Sequence, residues 1–203
     1  ESLRHDRLSL WGYETQTTPK LDSLSKLNLL KFRIVYCGGT MTKTAVATLM
    51  NRLKYPGLQQ VIEKKNNLFH LAKANGFRTH FISAQKSESL EILEPLLGMS
   101  QIDNYINRTM FNKKSEALSG YDNDLLIYLK KIDLTDNNFI VLQQRGSHSP
   151  YNYYPKSYNK FEDSYDNSVV YTDEVLLNIY DYLKQNSKKR TYFIYVSDHG
   201  ELL

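Results

Sequence analysis

Cysteine is almost absent from this chain: Cys37 is the only one among its 203 residues. A disulfide within the chain is therefore excluded, and cysteine usage does not indicate a redox compartment. No apolar run approaches the roughly 20 residues that span a bilayer, so none of these residues is expected to be embedded in a membrane. The 26 basic residues are not clustered, and the 16 tyrosines are not grouped with them. Nucleic-acid binding is therefore not expected.

The residues that are present indicate one globular α/β domain. A hydrophobic content of 41% over 203 residues is typical of a domain with a substantial core. Segments of helical period alternate with short apolar segments, and these strand candidates are residues 32–36, 77–82, 139–143 and 192–196. Because strands and helices alternate, we predict a mostly parallel sheet with right-handed crossovers, arranged as a three-layer α/β/α sandwich.

The most informative stretch is the last strand candidate and the polar residues after it. Its five β-favouring residues do not alternate with polar ones, which is typical of strands that are covered on both faces. Asp198 and His199 follow, and a carboxylate beside an imidazole suits a divalent ion such as zinc. The same pattern also fits an ordinary strand end with solvated polar side chains.

The first strand candidate leads into two glycines and several hydroxyl side chains. The sequence there is Cys-Gly-Gly-Thr-Met-Thr-Lys-Thr, and the predicted helix that follows has Ala45, Leu49 and Leu53 on one face. Thr42 or Thr44 is therefore expected at a helix N-terminus, where free N–H groups and the helix dipole stabilise a phosphate or an alkoxide. Simple N-capping is the commoner use of a threonine hydroxyl at such a place.

His148 lies at the exit of the 139–143 strand candidate, between glycine, serine and proline residues. A histidine in such a loop is better placed to meet a substrate than His70 or His80, which lie in a predicted helix and a predicted strand. We expect these last two to be structural or surface histidines.

Five motifs, taken together and in this order, resemble one family. They are Glu1-Ser2-Leu3-Arg4 with Asp6, Gly12-Tyr13 and Thr17-Thr18-Pro19; Gly39-Thr40-Met41-Thr42; Gly146-Ser147-His148-Ser149-Pro150; Tyr165-Asp166-Asn167-Ser168; and Ser197-Asp198-His199-Gly200-Glu201. The family is that of the lipid A phosphoethanolamine transferases, which belong to the alkaline phosphatase superfamily and include the mobile colistin-resistance proteins. The resemblance covers nearly the whole chain and implies an alkaline-phosphatase-like fold.

The resemblance also implies roles for particular residues. Thr42 matches the nucleophile of the family's Gly-Thr-x-Thr turn. Four residues would bind one zinc ion (Zn2+): Glu1, Thr42, Asp198 and His199. Carboxylates, an imidazole and a hydroxyl that must lose its proton are chemically suited to zinc. His148 resembles a residue of the family's second site or one that binds the substrate phosphate. Gln85 resembles one member of an Asn-Gln pair at the family's donor pocket, where Ala84 stands in place of the other amide.

The implied activity is transfer of phosphoethanolamine from phosphatidylethanolamine to lipid A or a related surface glycolipid, through a phosphothreonine. Residues 1–203 are expected to be part of a soluble catalytic domain that faces the periplasm at the inner membrane. We expect the family's N-terminal membrane domain and the C-terminal part of its catalytic domain to be absent from these residues. Alternatives are phosphoglycerol transfer, a sulfatase-like activity, and an inactive remnant or binding module. The sequence disfavours a sulfatase, because Cys37 is not followed by x-Pro-x-Arg.

Overall fold

The computed structural model of the chain describes residues 2–27, 29–32, 35–53, 67–111 and 118–202. Within these residues the α-helices are α1 (Pro19–Ser25), α2 (Thr42–Met50), α3 (Leu68–Ala74), α4 (Ser87–Leu90), α5 (Glu94–Leu97), α6 (Asp124–Leu129) and α7 (Ser164–Asn186). The strands are β1 (Arg78–Ser83), β2 (Asn104–Ile106) and β3 (Asn138–Gln143). Short 3₁₀ turns span His5–Arg7, Ser9–Trp11, Met99–Gln101, Arg108–Met110 and Lys156–Tyr158.

The three strands form one parallel sheet in the order β2-β1-β3. The central strand β1 pairs with β3 along its whole length, from Arg78 opposite Asn138 to Ser83 opposite Gln143. The predicted strands at 77–82 and 139–143 are therefore confirmed to within one residue, as is the parallel arrangement. β2 was not predicted, because it has only three residues and no apolar run. Since parallel strands end at the same edge of a sheet, the loops after β1 and β3 emerge side by side.

Helices cover both faces of this sheet. Adjacent side chains of a strand point to opposite faces, and Phe81 and Ile82 of β1 belong to two separate buried clusters. Phe81 shares its cluster with Phe69 of α3, while Ile82 shares the other with Leu125 of α6 and Val175 of α7. Each such side chain contributes about 1.5–3 kcal/mol by leaving water. The predicted three-layer α/β/α sandwich is confirmed.

The strand predicted at residues 192–196 is wrong. These residues form no ladder with the described strands, and their side chains are 37% to 79% exposed, with Ile194 the most exposed. An apolar run becomes a strand only where a neighbouring strand takes up its backbone N–H and C=O groups. The strand predicted at 32–36 falls partly on residues 33–34, which lie outside the described residues. Its described members are exposed and are not assigned to a strand.

Helix α2 follows the Gly-Gly turn as predicted, and Ala45 of its predicted apolar face is buried, but the rest of the buried face differs. Leu49 was expected in the core and is 45% exposed, whereas the side chains of Thr48 and Met50 are buried. The turn explains the rotation, because it packs on Thr48: a Cβ added to Gly38 would come within 2.5 Å of Thr48 Cβ. The glycine permits this close approach and so determines which face of α2 points inward.

The long helix α7 begins at Ser164, and its N-cap is Asp163. The Asp163 side chain accepts a hydrogen bond from the backbone N–H of Tyr165 at 2.8 Å, as expected of an N-cap. Residues 165–168, the fourth of the five motifs, follow this cap. Those residues form the first turn of the helix and are buried.

Candidate functional site

Thr42 is the first residue of α2, and its hydroxyl does not cap the helix. The N-cap is Met41, and no side chain makes a capping hydrogen bond there. Thr42 Oγ1 instead lies 3.2 Å from His199 Nε2. The side chain of Thr44 lies against Gly39, where an added Cβ would come within 2.8 Å of Thr44 Cβ. Of the two threonines, Thr42 is the one that meets His199.

Asp198 and His199 lie side by side, with side chains only 7% and 10% exposed. Asp198 Oδ1 accepts hydrogen bonds from the backbone N–H groups of Ser2 at 3.2 Å and His199 at 3.0 Å. Within the described part of the chain, Asp198 Oδ2 is buried without a hydrogen-bond partner, and it lies 3.4 Å from His199 Nε2. A buried carboxylate oxygen without a partner costs free energy unless a cation compensates it.

The orientation of the His199 ring is also that of a metal-binding histidine. His199 Nδ1 lies 2.6 Å from the carbonyl oxygen of Gly200, and a carbonyl can only accept, so Nδ1 carries the proton. In the neutral ring Nε2 is then an electron-pair donor that faces another donor, Asp198 Oδ2. A carbonyl that fixes the distal ring nitrogen in this way is the usual support of a metal-binding histidine.

Two distances between candidate ligand atoms agree with a tetrahedral metal site. Ligand atoms about 2.0–2.1 Å from a zinc ion in tetrahedral geometry lie about 3.3 Å from one another. Thr42 Oγ1 lies 3.2 Å from His199 Nε2, and His199 Nε2 lies 3.4 Å from Asp198 Oδ2. These three residues therefore fit a zinc ion. Among the described residues, no group of three His, Cys, Asp or Glu side chains is placed to hold a metal ion. The remaining predicted ligand, Glu1, lies outside the described residues.

The Asp-His segment, residues 197–199, is held by the N-terminal segment, residues 2–4. The backbone N–H of Leu3 donates to Ser197 Oγ at 2.9 Å, and this hydroxyl donates to the carbonyl of His199 at 2.7 Å. Arg4 donates to the carbonyl of Glu201 at 3.2 Å. These contacts join residues that are nearly 200 positions apart in the sequence.

Tyr165, at the start of α7, holds the N-terminal segment in turn. Its hydroxyl donates to the carbonyl of Ser2 and accepts from the backbone N–H of Arg4, both at 2.7 Å. The side chain is fully buried, and burial raises the pKa of the phenol above its ordinary value, so it stays a donor. The motif around residue 165 was noticed in the sequence, but this role requires the tertiary contact.

A pocket of ≈ 510 Å³ opens beside Thr42. Gln85, from the loop after β1, and His148, from the loop after β3, both line it. Their contact with a substrate stays a prediction of the sequence. His148 is exposed, and its Nδ1 lies 2.8 Å from the carbonyl of Ser149. The adjacent exits of β1 and β3 bring these loops to the same wall.

The same pocket contains residues that sequence reasoning missed: Lys86, Ser89, Arg108, Arg145 and Tyr153. Arg145 directly precedes the Gly-Ser-His motif, so its position was visible in the sequence. Arg108 begins a short 3₁₀ turn and Tyr153 lies in a loop, and the composition of neither segment carries a signal. They reach the pocket only through the fold.

The β3 exit loop, residues 144–148, is fixed by a buried carboxylate. Asp122 accepts hydrogen bonds from the backbone N–H groups of Arg145 at 2.9 Å and Gly146 at 2.8 Å. Burial raises the pKa of Asp122, the two N–H groups lower it, and burial is the larger effect. Gly146 has a φ of 61°, a left-handed conformation that glycine adopts without strain.

The whole chain, residues 1–203, matches the family model described as Sulfatase. The chain belongs to the sulfatase family. The resemblance found in the motifs is also confirmed, because several similar proteins are phosphoethanolamine transferases. The Kdo(2)-lipid A phosphoethanolamine 7''-transferase of Salmonella typhimurium is 29% identical over 223 residues, covering 99% of this chain and 38% of that protein.

Solved structures agree on the fold. The C-terminal periplasmic domain of EptC from Escherichia coli, in complex with Zn, matches with a TM-score of 0.77 and 25% identity, over 92% of this chain and 58% of that one. A protein of the alkaline phosphatase superfamily from Vibrio parahaemolyticus matches with a TM-score of 0.65 and 23% identity, over 88% and 47%. The alkaline-phosphatase-like fold is thereby confirmed.

The similarity covers only part of the relatives' length. The chain spans well under half of the Salmonella transferase. Among the described residues, no helix has the length and apolar character needed to cross a membrane.

Proposed function

We propose that the protein transfers phosphoethanolamine from phosphatidylethanolamine to lipid A or a related surface glycolipid, through a phosphothreonine on Thr42. The observation that carries this proposal is the contact between Thr42 Oγ1 and His199 Nε2 at the mouth of α2, beside a basic pocket. Similarity to phosphoethanolamine transferases supports the choice of transferred group.

We further propose that zinc is the cofactor, held by Thr42, Asp198 and His199, with Glu1 as the predicted fourth ligand. The partnerless Asp198 Oδ2 and the His199 ring, whose Nδ1 faces the carbonyl of Gly200, support this assignment. When bound, zinc lowers the pKa of a coordinated hydroxyl and draws negative charge from a phosphoryl oxygen.

The chain's own residues would act in two steps. In the first, Thr42 Oγ attacks the phosphorus of the donor, and diacylglycerol leaves with the electron pair of its P–O bond and a proton. The N–H groups in the first turn of α2 would stabilise the charge on the phosphoryl oxygens. In the second, an acceptor oxygen attacks the same phosphorus and releases Thr42. His148 and Gln85 would bind substrate along the pocket wall.

Both proposed substrates are lipids, so the reaction belongs at a membrane surface. We propose that this domain faces the periplasm at the inner membrane, as the similarity to the periplasmic domain of EptC suggests. Membrane contact would come through the N-terminal membrane domain that the family carries. Nucleic acid is not a proposed partner.

Mass spectrometry of the full-length protein incubated with phosphatidylethanolamine tests this function. A phosphoethanolamine adduct is expected on Thr42, and Thr42→Ala should abolish it. Thr44→Ala is the matched control, because Thr44 lies two residues away and packs on Gly39 instead. An adduct that persists in Thr42→Ala, or that is lost only in Thr44→Ala, would refute the assignment.

A further inference from the structure

Ser2 has an unusual backbone conformation beside the candidate zinc site. Its φ is 56°, in the left-handed region that residues with a side chain rarely adopt, and the residue is completely buried. A left-handed backbone costs free energy in any residue other than glycine, so it persists only where neighbouring groups hold it. The contacts of Ser2 therefore show which parts of the fold impose this conformation.

The N–H side of Ser2 faces the site. The backbone N–H donates to Asp198 Oδ1 at 3.2 Å, and Asp198 Oδ1 also accepts from the backbone N–H of His199 at 3.0 Å. While these two N–H groups hold Oδ1, the other oxygen, Oδ2, lies 3.4 Å from His199 Nε2. The N–H of Ser2 therefore helps to determine which carboxylate oxygen is turned toward the proposed metal position.

The carbonyl side of Ser2 faces Tyr165. This carbonyl accepts from the Tyr165 hydroxyl at 2.7 Å, and the hydroxyl accepts from the backbone N–H of Arg4 at 2.7 Å. Both distances are those of well-formed hydrogen bonds. One hydroxyl thus bridges two backbone groups on either side of Leu3 and fixes the shape of the N-terminal segment.

Tyr165 is itself held rigidly. Its fully buried ring packs edge to face on Tyr151, with the ring centres 5.2 Å apart, and shares a buried cluster with Leu3 and Val169. Its backbone N–H donates to the N-cap Asp163, so the residue belongs to the first turn of the long helix α7. Side chains locked by packing on a regular element are precise supports for a site. The position of α7 is therefore passed through the hydroxyl to Ser2, and from Ser2 to Asp198.

We propose that Tyr165 is a positioning residue of the zinc site: its hydroxyl holds the strained Ser2 peptide, and that peptide orients the Asp198 carboxylate toward the metal ion. This inference rests on the proposed function, which supplies the zinc ion. It adds a residue that acts through Ser2 and Asp198 and not directly on the metal or the substrate. Removing a hydrogen-bond partner that orients a metal ligand typically weakens metal binding by about 10–100-fold.

A purely structural role predicts a different result. If Tyr165 served only the core around α7, loss of its hydroxyl would destabilise the fold, and the folded protein would bind zinc as before. Tyr171 offers the matched comparison, because it is on the same helix and is only 4% exposed. Its hydroxyl accepts a hydrogen bond from the backbone N–H of Asn123 at 3.1 Å, in a different part of the chain.

The test uses the full-length protein, from which zinc is first removed with a chelator. The variants are Tyr165→Phe and, as the control, Tyr171→Phe; each removes one buried hydroxyl and keeps the ring. Zinc affinity is measured by competition with a chelating dye, and the visible absorption of the Co²⁺-loaded protein reports the ligand geometry. Urea denaturation of the zinc-free protein measures stability separately and shows that each variant is folded. His199→Gln, which removes a proposed ligand, identifies the affinity that belongs to this site.

We expect Tyr165→Phe to weaken zinc binding by about 10–100-fold and to alter the Co²⁺ spectrum. Tyr171→Phe should keep the wild-type zinc affinity and spectrum, although its stability should fall by a similar amount. The reason for the difference is that the Tyr165 hydroxyl is linked through Ser2 to Asp198.

Two results would overturn the inference and leave the proposed function standing. One is wild-type zinc affinity with an unchanged Co²⁺ spectrum in Tyr165→Phe, which would give the hydroxyl a purely structural role. The other is an equal loss of zinc affinity in both variants, which would indicate a general loosening around α7. If His199→Gln binds zinc as tightly as the wild type, the zinc site of the proposed function fails, and this inference fails with it.

Discussion

Two segments bring side chains to the candidate site, and each follows an apolar run of the sequence. The β3 exit loop carries Arg145 and His148 after a strand that is paired along its length. The Asp-His segment carries Asp198 and His199 after residues 192–196, which pair with none of the described strands. The sheet therefore places the first segment directly, whereas the second depends on hydrogen bonds from the other end of the chain.

The anchors of the two segments differ in kind. The β3 exit loop rests on one buried carboxylate, Asp122, which takes two backbone N–H groups. The Asp-His segment rests on several smaller contacts, of which the bond from Leu3 to Ser197 is one. The same sequence pattern, an apolar run followed by polar residues, can therefore be positioned either by a strand or by long-range contacts.

The largest expected difference between the segments is in chemistry. His199→Gln should slow adduct formation on Thr42 by about 10²–10⁴-fold, because it removes the ring nitrogen that faces the nucleophile. His148→Gln, in the exposed loop, should cost only about 10-fold, the value of one hydrogen bond. Single-turnover kinetics with phosphatidylethanolamine measures both. Equal losses would mean that the two histidines contribute alike.

The next difference is in stability. Asp122→Ala leaves two backbone N–H groups without their acceptor and should lower the free energy of unfolding by about 2–5 kcal/mol. Ser197→Ala removes the acceptor for Leu3 in the other segment and should cost about 0.5–1.5 kcal/mol. Urea denaturation measures both, with Glu162→Ala, at an exposed position, as the control. A larger loss in Ser197→Ala than in Asp122→Ala would reverse the comparison.

The anchor of the β3 exit loop should also make stability depend on pH. Burial raises the pKa of Asp122 above its ordinary 3.8, so the folded state holds this proton more tightly than the unfolded chain. The contribution of Asp122 to the free energy of unfolding should therefore fall as the pH rises from about 3.8 through the raised pKa. Asp122→Asn does not titrate, so wild type should lose stability relative to it over this range. A relative gain would contradict the assignment.

The smallest effect is expected in the run before the Asp-His segment. Ile194→Asn should change the free energy of unfolding by less than about 0.5 kcal/mol, because the Ile194 side chain is mostly exposed. Leu142→Asn in β3 is the matched change, and it should cost more because Leu142 packs against a buried cluster. Denaturation of both variants tests the pair. A cost for Ile194→Asn as large as that for Leu142→Asn would show that residues 192–196 are covered.

The local part of the fold could be predicted from the sequence. β1 and β3 were predicted to within one residue, because apolar runs between turn residues are a local signal. The start of α2 was predicted for the same reason, but its buried face was not. That face depends on Gly38 packing against Thr48, a contact that helical periodicity does not encode.

The residue types alone establish which chemical groups are available: a threonine after two glycines, an aspartate-histidine pair after an apolar run, and a histidine at a strand exit. Folding brings Thr42 to His199, lets Asp122 fix the loop of Arg145, and places the guanidinium groups of Arg108 and Arg145 near the ring of Tyr153. The physical reason is that residue type and period are local properties. Hydrogen bonds and ring contacts between distant residues exist only after the backbone has brought them together.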